Sequence, residues 1–359
     1  MKILMVLDQP NMYGSELHFL DLADHFNQLY FVKVVVFTEG PLLSLLSERN
    51  INYTIIQTGW FPPLVFFIRL FKVINAFSPD LIHSHQPKAN FLITILNIFL
   101  RKKNIVTIHS QALDHSLVHK NIVQRKLVYI FHRFVQFISE FGALKVIYVS
   151  YAASKTSFFK NKVVVLYNWL GKKFALEIKR KQDSRKPIRL IAVGAVTYAK
   201  GYDLLVKFQK LIGSQPVEIQ VVGSDESMFA MSLKKQIMEN GIKNIRFEGY
   251  QINISEYLQR ADFFVLFSRS ETFGLSYIEA MYYGLPVLSL NYDTMKEIIP
   301  KGNSISNNLN DHARFLLQLH NDPLRYTQVS DDNSFYVKQN FSYANAMHQY
   351  EMLYSQLTN

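Results

Sequence analysis

Short apolar runs alternate along this chain with longer stretches whose apolar residues recur every third or fourth position. That alternation is the signature of parallel α/β sheets. In the first half the runs predict strands near Lys2–Leu7, Phe31–Phe37, Tyr53–Ile56, Leu81–His83, Ile105–His109, Val146–Val149 and Val163–Leu166. Helices fall between them, for example Ser15–Asn27 and Asn121–Phe141. In the second half, strands are expected near Arg189–Val193, Glu218–Val222, Ile245–Phe247, Phe263–Phe267 and Val287–Leu290. Between the halves, Gly171–Pro187 is charged, ends in proline and has no strand pattern, so it reads as a linker. The expected organisation is a first α/β domain over 1–170, the linker over 171–187, a second α/β domain over 188–340 and an amphipathic helix over 341–359.

Composition narrows this. A chain of 359 residues, 49% hydrophobic and 19% charged, is long enough for two cores and too apolar for disorder. It has no cysteine, which removes disulfides and thiolate metal sites. Met1–Asp8 reads as a buried first strand rather than a leader, because its apolar run is short and Asp8 ends it. The longest apolar run, Ala89–Leu100, falls short of the roughly 18 residues a spanning helix needs. A cytoplasmic protein without transmembrane helices is expected. The net charge of +11 is concentrated early: residues 1–170 hold 17 Lys+Arg against 9 Asp+Glu, and 171–187 hold 7 against 2. Such an excess points to an anionic partner surface.

The densest chemistry lies in the second half. After the apolar run Ala261–Phe267 come Ser268-Arg-Ser-Glu-Thr-Phe-Gly-Leu-Ser-Tyr-Ile-Glu279 and a helix expected from Gly274 to Tyr283, with Gly284 at its stop and Pro286 beyond. A strand, a glycine-bearing loop and a helix in this order aim the free N–H groups of a helix end at the crevice past the strand. A phosphate fits there. Glu271 precedes the helix and Glu279 lies more than a turn inside it, so the two carboxylates can grip different parts of one phosphate-centred ligand.

The full string Ala-Asp-x5-Ser-x-Ser-Glu-x-Phe-Gly-Leu-x3-Glu-Ala-Met-x2-Gly-x-Pro-Val resembles the Glu-x7-Glu motif of the retaining glycosyltransferases with the GT-B fold, in particular glycosyltransferase family 4. The resemblance implies two Rossmann-like domains with parallel sheets facing across a cleft, and a C-terminal helix crossing back to the first domain. It implies sugar transfer from a UDP- or GDP-sugar to a hydroxyl acceptor with retention of configuration. No metal and no cofactor are implied, the nucleotide-sugar being a substrate. Glu271 with the Phe273, Gly274 and Leu275 backbone would then orient the sugar, and Glu279 would hold the ribose. In Val193-Gly-Ala-Val-Thr-Tyr-Ala-Lys-Gly201, Lys200 corresponds to the family lysine on the donor diphosphate, beside Gly194. Here the chain departs from the family, with Gly194-Ala195 where Gly-Arg is usual. Gly223 marks the turn on the nucleotide side and Tyr250 the place where the base packs. In the first domain, Gly14 stands in the glycine turn after strand one, although a helix start with Ser15 as N-cap explains the same residues. His109 corresponds to the histidine facing the reacting carbon, and Asn168 to the asparagine of a Pro-Asn-Gly segment. His83 and His85 share a strand face but have no third ligand near them in sequence.

Gly59–Phe77 and Lys120–Phe134 mix aromatic with basic residues, which suits the face of an anionic bilayer; a core-facing helix with wet lysines is the other reading. No nucleic-acid motif is present. The expected role is a bacterial enzyme of surface-polysaccharide synthesis working on a lipid-linked saccharide at the inner face of the plasma membrane. The competing reading, motivated by Ala195, is a non-catalytic GT-B protein that binds carbohydrate or scaffolds a partner enzyme.

Overall fold

The computed structural model describes residues 1–58, 63–118, 121–171, 187–213 and 215–358. Nearly all of the expected linker (172–186), and residues 59–62 and 120 of the two basic aromatic stretches, lie outside the described residues. Two compact units result, one of Met1–Ser116, Ile122–Gly171 and Tyr343–Asn359, the other of Leu117–Asn121 and Lys172–Ser342.

The first unit is built on strands β1 (Lys2–Leu7), β2 (Phe31–Val36), β3 (Asn52–Ile55), β4 (Leu81–His85), β5 (Lys103–Ile108), β6 (Lys145–Tyr148) and β7 (Val163–Val165). They form one parallel sheet in the order β3-β2-β1-β4-β5-β6-β7. Runs such as Ile3–Leu7 are buried on both faces, as helix-covered parallel strands must be. The order reverses between β1 and β4, which opens a crevice past their C-terminal ends. The last helix, Tyr343–Thr358, belongs to this unit's core. Its Met347, Tyr350, Leu353 and Tyr354 pack with β1, β2 and the helix Gly14–Leu29, and Tyr354 stacks on Phe26 at 4.3 Å.

The second unit is built on β8 (Ile188–Val193), β9 (Val217–Val222), β10 (Ile245–Phe247), β11 (Phe263–Leu266), β12 (Val287–Ser289) and β13 (Ser304–Ile305). Its parallel order is β10-β9-β8-β11-β12-β13, and the switch point lies between β8 and β11. Asp262 pins that junction: its carboxylate takes the Arg189 backbone N–H at 2.9 Å and the Arg189 guanidinium at 2.8 and 3.1 Å. The twelve strands predicted from the pattern all form. The thirteenth, β13, is two residues long and too short to leave a periodic signal.

Candidate active site

In the second unit, the loops that follow β8 and β11 flank the switch point and carry the predicted chemistry. The chain leaves β8 at Gly194, whose N–H bonds Val222 O at 2.9 Å, and runs through Lys200 to Gly201. Gly201 has φ +69, and a Cβ there would stand 1.9 Å from Phe267 O. Only glycine lets the two loops come this close. Arg269 then stitches them together. Its backbone N–H bonds Ala199 O at 2.7 Å, and its guanidinium bonds Tyr198 O at 2.6 Å and both Asp203 oxygens at 2.8 and 2.7 Å. The same guanidinium lies 3.8 Å over the Tyr198 ring. Burial opposes the Arg269 charge, but the Asp203 bonds outweigh it and hold the guanidinium above its ordinary pKa.

This stitching brings Lys200 and Glu271 together. Lys200 Nζ lies 2.5 Å from Glu271 Oε1, and Ser268 Oγ donates to the same oxygen at 2.8 Å. Glu271 is thus aimed by a cation and a hydroxyl three residues before it. The helix runs Leu275–Tyr282, one residue shorter at each end than the pattern predicts. Gly274 is its N-cap at φ +92, where a Cβ would press Tyr277 and Met295 at 2.9 and 3.1 Å. A glycine cap has no side chain to offer, and no acid sits in the first turn, so the positive end of the helix is left unneutralised by its own residues. Tyr277 fixes the helix against β11 by donating to Leu266 O at 2.6 Å. Glu279 is partly buried on the second turn, and Phe273 is buried with its ring edge-on to Phe341 at 5.4 Å. On the other flank, Gly223 donates its N–H to Gly249 O at 2.8 Å, and the half-exposed Tyr250 follows. Burial raises the phenols of Tyr202 and Tyr277 well above their ordinary values, so both act as donors, Tyr202 to Gly194 O at 2.7 Å.

Gly14 and His109 lie in the first unit. His109 follows β5 with its Nε2 3.0 Å from His85 Nδ1, while its Nδ1 has no hydrogen-bond partner among the described residues. His83 is held between Thr107 Oγ1 at 2.7 Å and Tyr354 OH at 2.5 Å, and His18 stacks on Trp169 at 4.2 Å. Burial lowers His109 to about 4 and His18 and His83 to about 3, so these rings are neutral near pH 7. Among the described residues no cluster of three or more His, Cys, Asp or Glu stands close enough to hold a metal. Gly14 opens the helix Gly14–Leu29, but the N-cap is Tyr13. Ser15 therefore does not cap it; its hydroxyl is taken by the Glu16 carboxylate at 2.8 Å. Glu16 in turn accepts from Gln86 at 2.6 Å, which ties the first turn of that helix to the loop after β4.

Ser268, Arg269, Asp203, Tyr202 and Tyr277 escaped the sequence reading. Arg269 and Ser268 stood in the quoted string, but the partner of Arg269 lies 66 residues away and no local pattern reveals it.

Comparison with known proteins fits this geometry. Residues 175–328 match the profile of the glycosyl transferases group 1, and residues 12–169 that of glycosyltransferase family 4. A capsular polysaccharide biosynthesis glycosyltransferase of Staphylococcus aureus, CapH, is 24% identical over 310 residues, 83% of either chain. Anabaena HepE, solved with UDP and glucose, superposes with a TM-score of 0.83 at 18% identity, over 99% of this chain and all of that one. Sucrose-phosphate synthase of Thermosynechococcus elongatus superposes at 0.78 with 19% identity, over 99% and 98%. These likenesses extend over both parallel-sheet units, and the motif string lies inside the matched region. The chain is a glycosyltransferase with the GT-B fold and belongs to glycosyltransferase family 4.

Proposed function

We propose that this enzyme moves a sugar, with retention of anomeric configuration, from a nucleoside-diphosphate sugar to a hydroxyl of a lipid-linked saccharide during synthesis of a bacterial surface polysaccharide. The observation that carries the reading is the Lys200–Glu271 pair just before the glycine-capped N-terminal end of the helix Leu275–Tyr282. An incoming diphosphate competes for Lys200 and takes the helix N–H groups, giving fixed positive charge where the leaving group gathers negative charge. Glu271, released from Lys200 but still held by Ser268, turns to a sugar hydroxyl. Glu279 accepts from the ribose, Tyr250 covers the base, and the neutral His109 faces the reacting carbon. This arrangement draws its positive charge from the chain itself and calls for no metal. UDP is the favoured nucleotide, since HepE was solved with UDP and glucose. The polysaccharide role is supported by the likeness to CapH, and a cytoplasmic, membrane-surface location by the basic first half.

One observation favours a second reading, a binding or scaffold protein without transferase chemistry. Ala195 stands where the family resemblance leads one to expect an arginine, and Arg269 is committed to Asp203 and Tyr198. Calorimetry with UDP-glucose and GDP-mannose, followed by a donor-hydrolysis assay, separates the two. A bound donor at about 100 times its Kd stabilises the folded chain by about 2.7 kcal/mol. Binding that vanishes in Lys200→Ala, together with turnover, is expected. Absence of nucleotide binding defeats the transferase reading, and binding without turnover favours the scaffold.

A further inference from the structure

At the switch point of the first unit, β4 ends on His85 and the chain turns through a strained backbone. Gln86 has φ +70 and ψ 146, next to a region that essentially only glycine occupies. Pro87 after it restricts the position further. The Gln86 side chain holds this geometry with four hydrogen bonds. Its Oε1 accepts from the Asp8 and Gln9 N–H groups at 3.0 and 2.8 Å, and its Nε2 donates to Gln9 O at 3.2 Å and to Glu16 at 2.6 Å. Strain maintained by so many bonds points to a placement the fold secures. The ring placed is the one just before it, His85.

His85 is 2% exposed, and its Nδ1 lies 3.0 Å from His109 Nε2. Burial lowers both rings, so both are neutral near pH 7. Two neutral rings in this contact share one proton between the facing nitrogens and keep the other on a far nitrogen. The two far nitrogens differ in their surroundings. His85 Nε2 has no hydrogen-bond partner among the described residues. The rings against His85 are Phe19 at 5.0 Å and His83 at 4.1 Å. Phe19 offers no acceptor, and both His83 nitrogens are engaged by Tyr354 and Thr107. His109 instead lines a small cleft with Asn90, Ser110, Gln136 and Ser139, all of which carry oxygen. Asn90 is 1% exposed; its Nδ2 donates to Thr107 O at 3.0 Å, and its Oδ1 has no hydrogen-bond partner among the described residues. Buried N–H groups without an acceptor are rare, and bare lone pairs less so. The far proton therefore belongs on His109. We propose that His85 is a positioning residue whose Nδ1–H donates to His109 Nε2 and fixes the tautomer in which His109 presents its Nδ1–H to the ligand. His109 then gives a hydrogen bond to an oxygen of the bound sugar, and is not a base that takes the acceptor's proton. The inference deepens the sugar-facing role proposed above for His109 and rests on that reading for its consequence, while the tautomer stands apart from it.

Long-range proton–nitrogen correlation spectra of the full chain carrying isotopically labelled histidine distinguish protonated from bare ring nitrogens. The His109 signals are those lost in His109→Gln. In the wild type, His109 is expected with Nδ1 protonated and Nε2 bare. His85→Phe removes the donor, so the proton should move to His109 Nε2. Its kcat with UDP-glucose should fall about 10–100-fold, with donor binding by calorimetry unchanged. His85→Asn, whose amide N–H can stand where Nδ1 stood, should keep the tautomer and restore most of the turnover. A wild-type His109 protonated on Nε2 overturns the proposal whatever the variants do. So does a folded His85→Phe chain with unchanged kcat, or a folded His85→Asn chain as slow as His85→Phe. Should His85→Phe fail to fold, the wild-type spectrum and the turnover of His85→Asn decide. The expected tautomer without turnover of any donor leaves the positioning in place and defeats only the transferase reading.

Discussion

Replacing Gly201 by alanine tests whether the close approach of two loops is what aims Lys200. At φ +69 an L-residue pays about 1–2 kcal/mol for the left-handed conformation. The added Cβ would also stand 1.9 Å from Phe267 O and 2.6 Å from its carbonyl carbon, where side-chain carbons keep beyond 3.0 Å. Both opposing atoms are backbone at the end of a buried strand, so the Lys200 loop must retreat by about 1.1 Å, the difference between 3.0 and 1.9. With roughly 1–3 kcal/mol for that strain, the total loss is about 2–5 kcal/mol. For a unit of this size that corresponds to a melting decrease of about 4–20 °C. A retreat of this size undoes the 2.5 Å Lys200–Glu271 pairing, and a misplacement near 1 Å costs about 100-fold in rate. Gly241→Ala is the control, since Gly241 has a similar φ of +63 but nothing within 4 Å of its Cβ. It should lose only the backbone term of about 1–2 kcal/mol and transfer normally. Differential scanning calorimetry and a donor-turnover assay on both variants give the answer. If Gly201→Ala keeps wild-type turnover, or loses no more stability than Gly241→Ala, the argument that loop contact positions Lys200 is wrong.

Glu271→Ala should abolish turnover, by at least about 100-fold, with the circular dichroism spectrum unchanged; surviving activity removes Glu271 from the site. Arg269→Lys gives up the two-pronged bond to Asp203 and the stacking on Tyr198, so it should cost about 1–2 kcal/mol and raise the donor KM, and an unchanged KM would show that the stitch does not matter to binding. Acid should weaken the first unit. His109 is lowered to about 4 and His18 and His83 to about 3, against about 6.5 when unfolded, so between those values the unfolded chain binds more protons. Stability is then full above about pH 6.5 and drops as the pH falls toward 4, by about 2 kcal/mol at pH 5 for each histidine that stays neutral. Burial raises the Asp8 and Glu16 carboxyls, which works in the opposite sense, so the clean readout is the difference between wild type and His83→Gln in urea midpoints at pH 7.5 and pH 5. An identical pH slope in both would contradict the assignment.

The sequence by itself determined the class of the fold and marked the candidate residues of the site. Twelve strands announced themselves because a buried parallel strand must be apolar along its whole length, and the helix beyond β11 because its stop at Gly284 is written in local chemistry. Glu271, Glu279 and Lys200 were legible for the same reason, each standing in a short string whose meaning does not depend on distant residues. Whether Ser15 capped its helix was not decided by sequence, because Gly14-Ser15 suits a glycine turn and a Ser15 cap about equally; in the fold the N-cap is Tyr13 and Glu16 takes the Ser15 hydroxyl. Only the tertiary structure decided which groups meet. The Arg269–Asp203 brace, the Lys200–Glu271 pair and the Tyr354–His83 bond join residues 66, 71 and 271 positions apart. The helix Ile122–Gly142, whose polar Gln136, Ser139 and Glu140 are buried, was ambiguous for a related reason: periodicity reveals that a helix has two faces, but which face turns inward depends on where Tyr148 and Ser157 wait for Glu140. Local patterns set local conformation, while pairing across the chain is chosen by packing, which no single segment encodes.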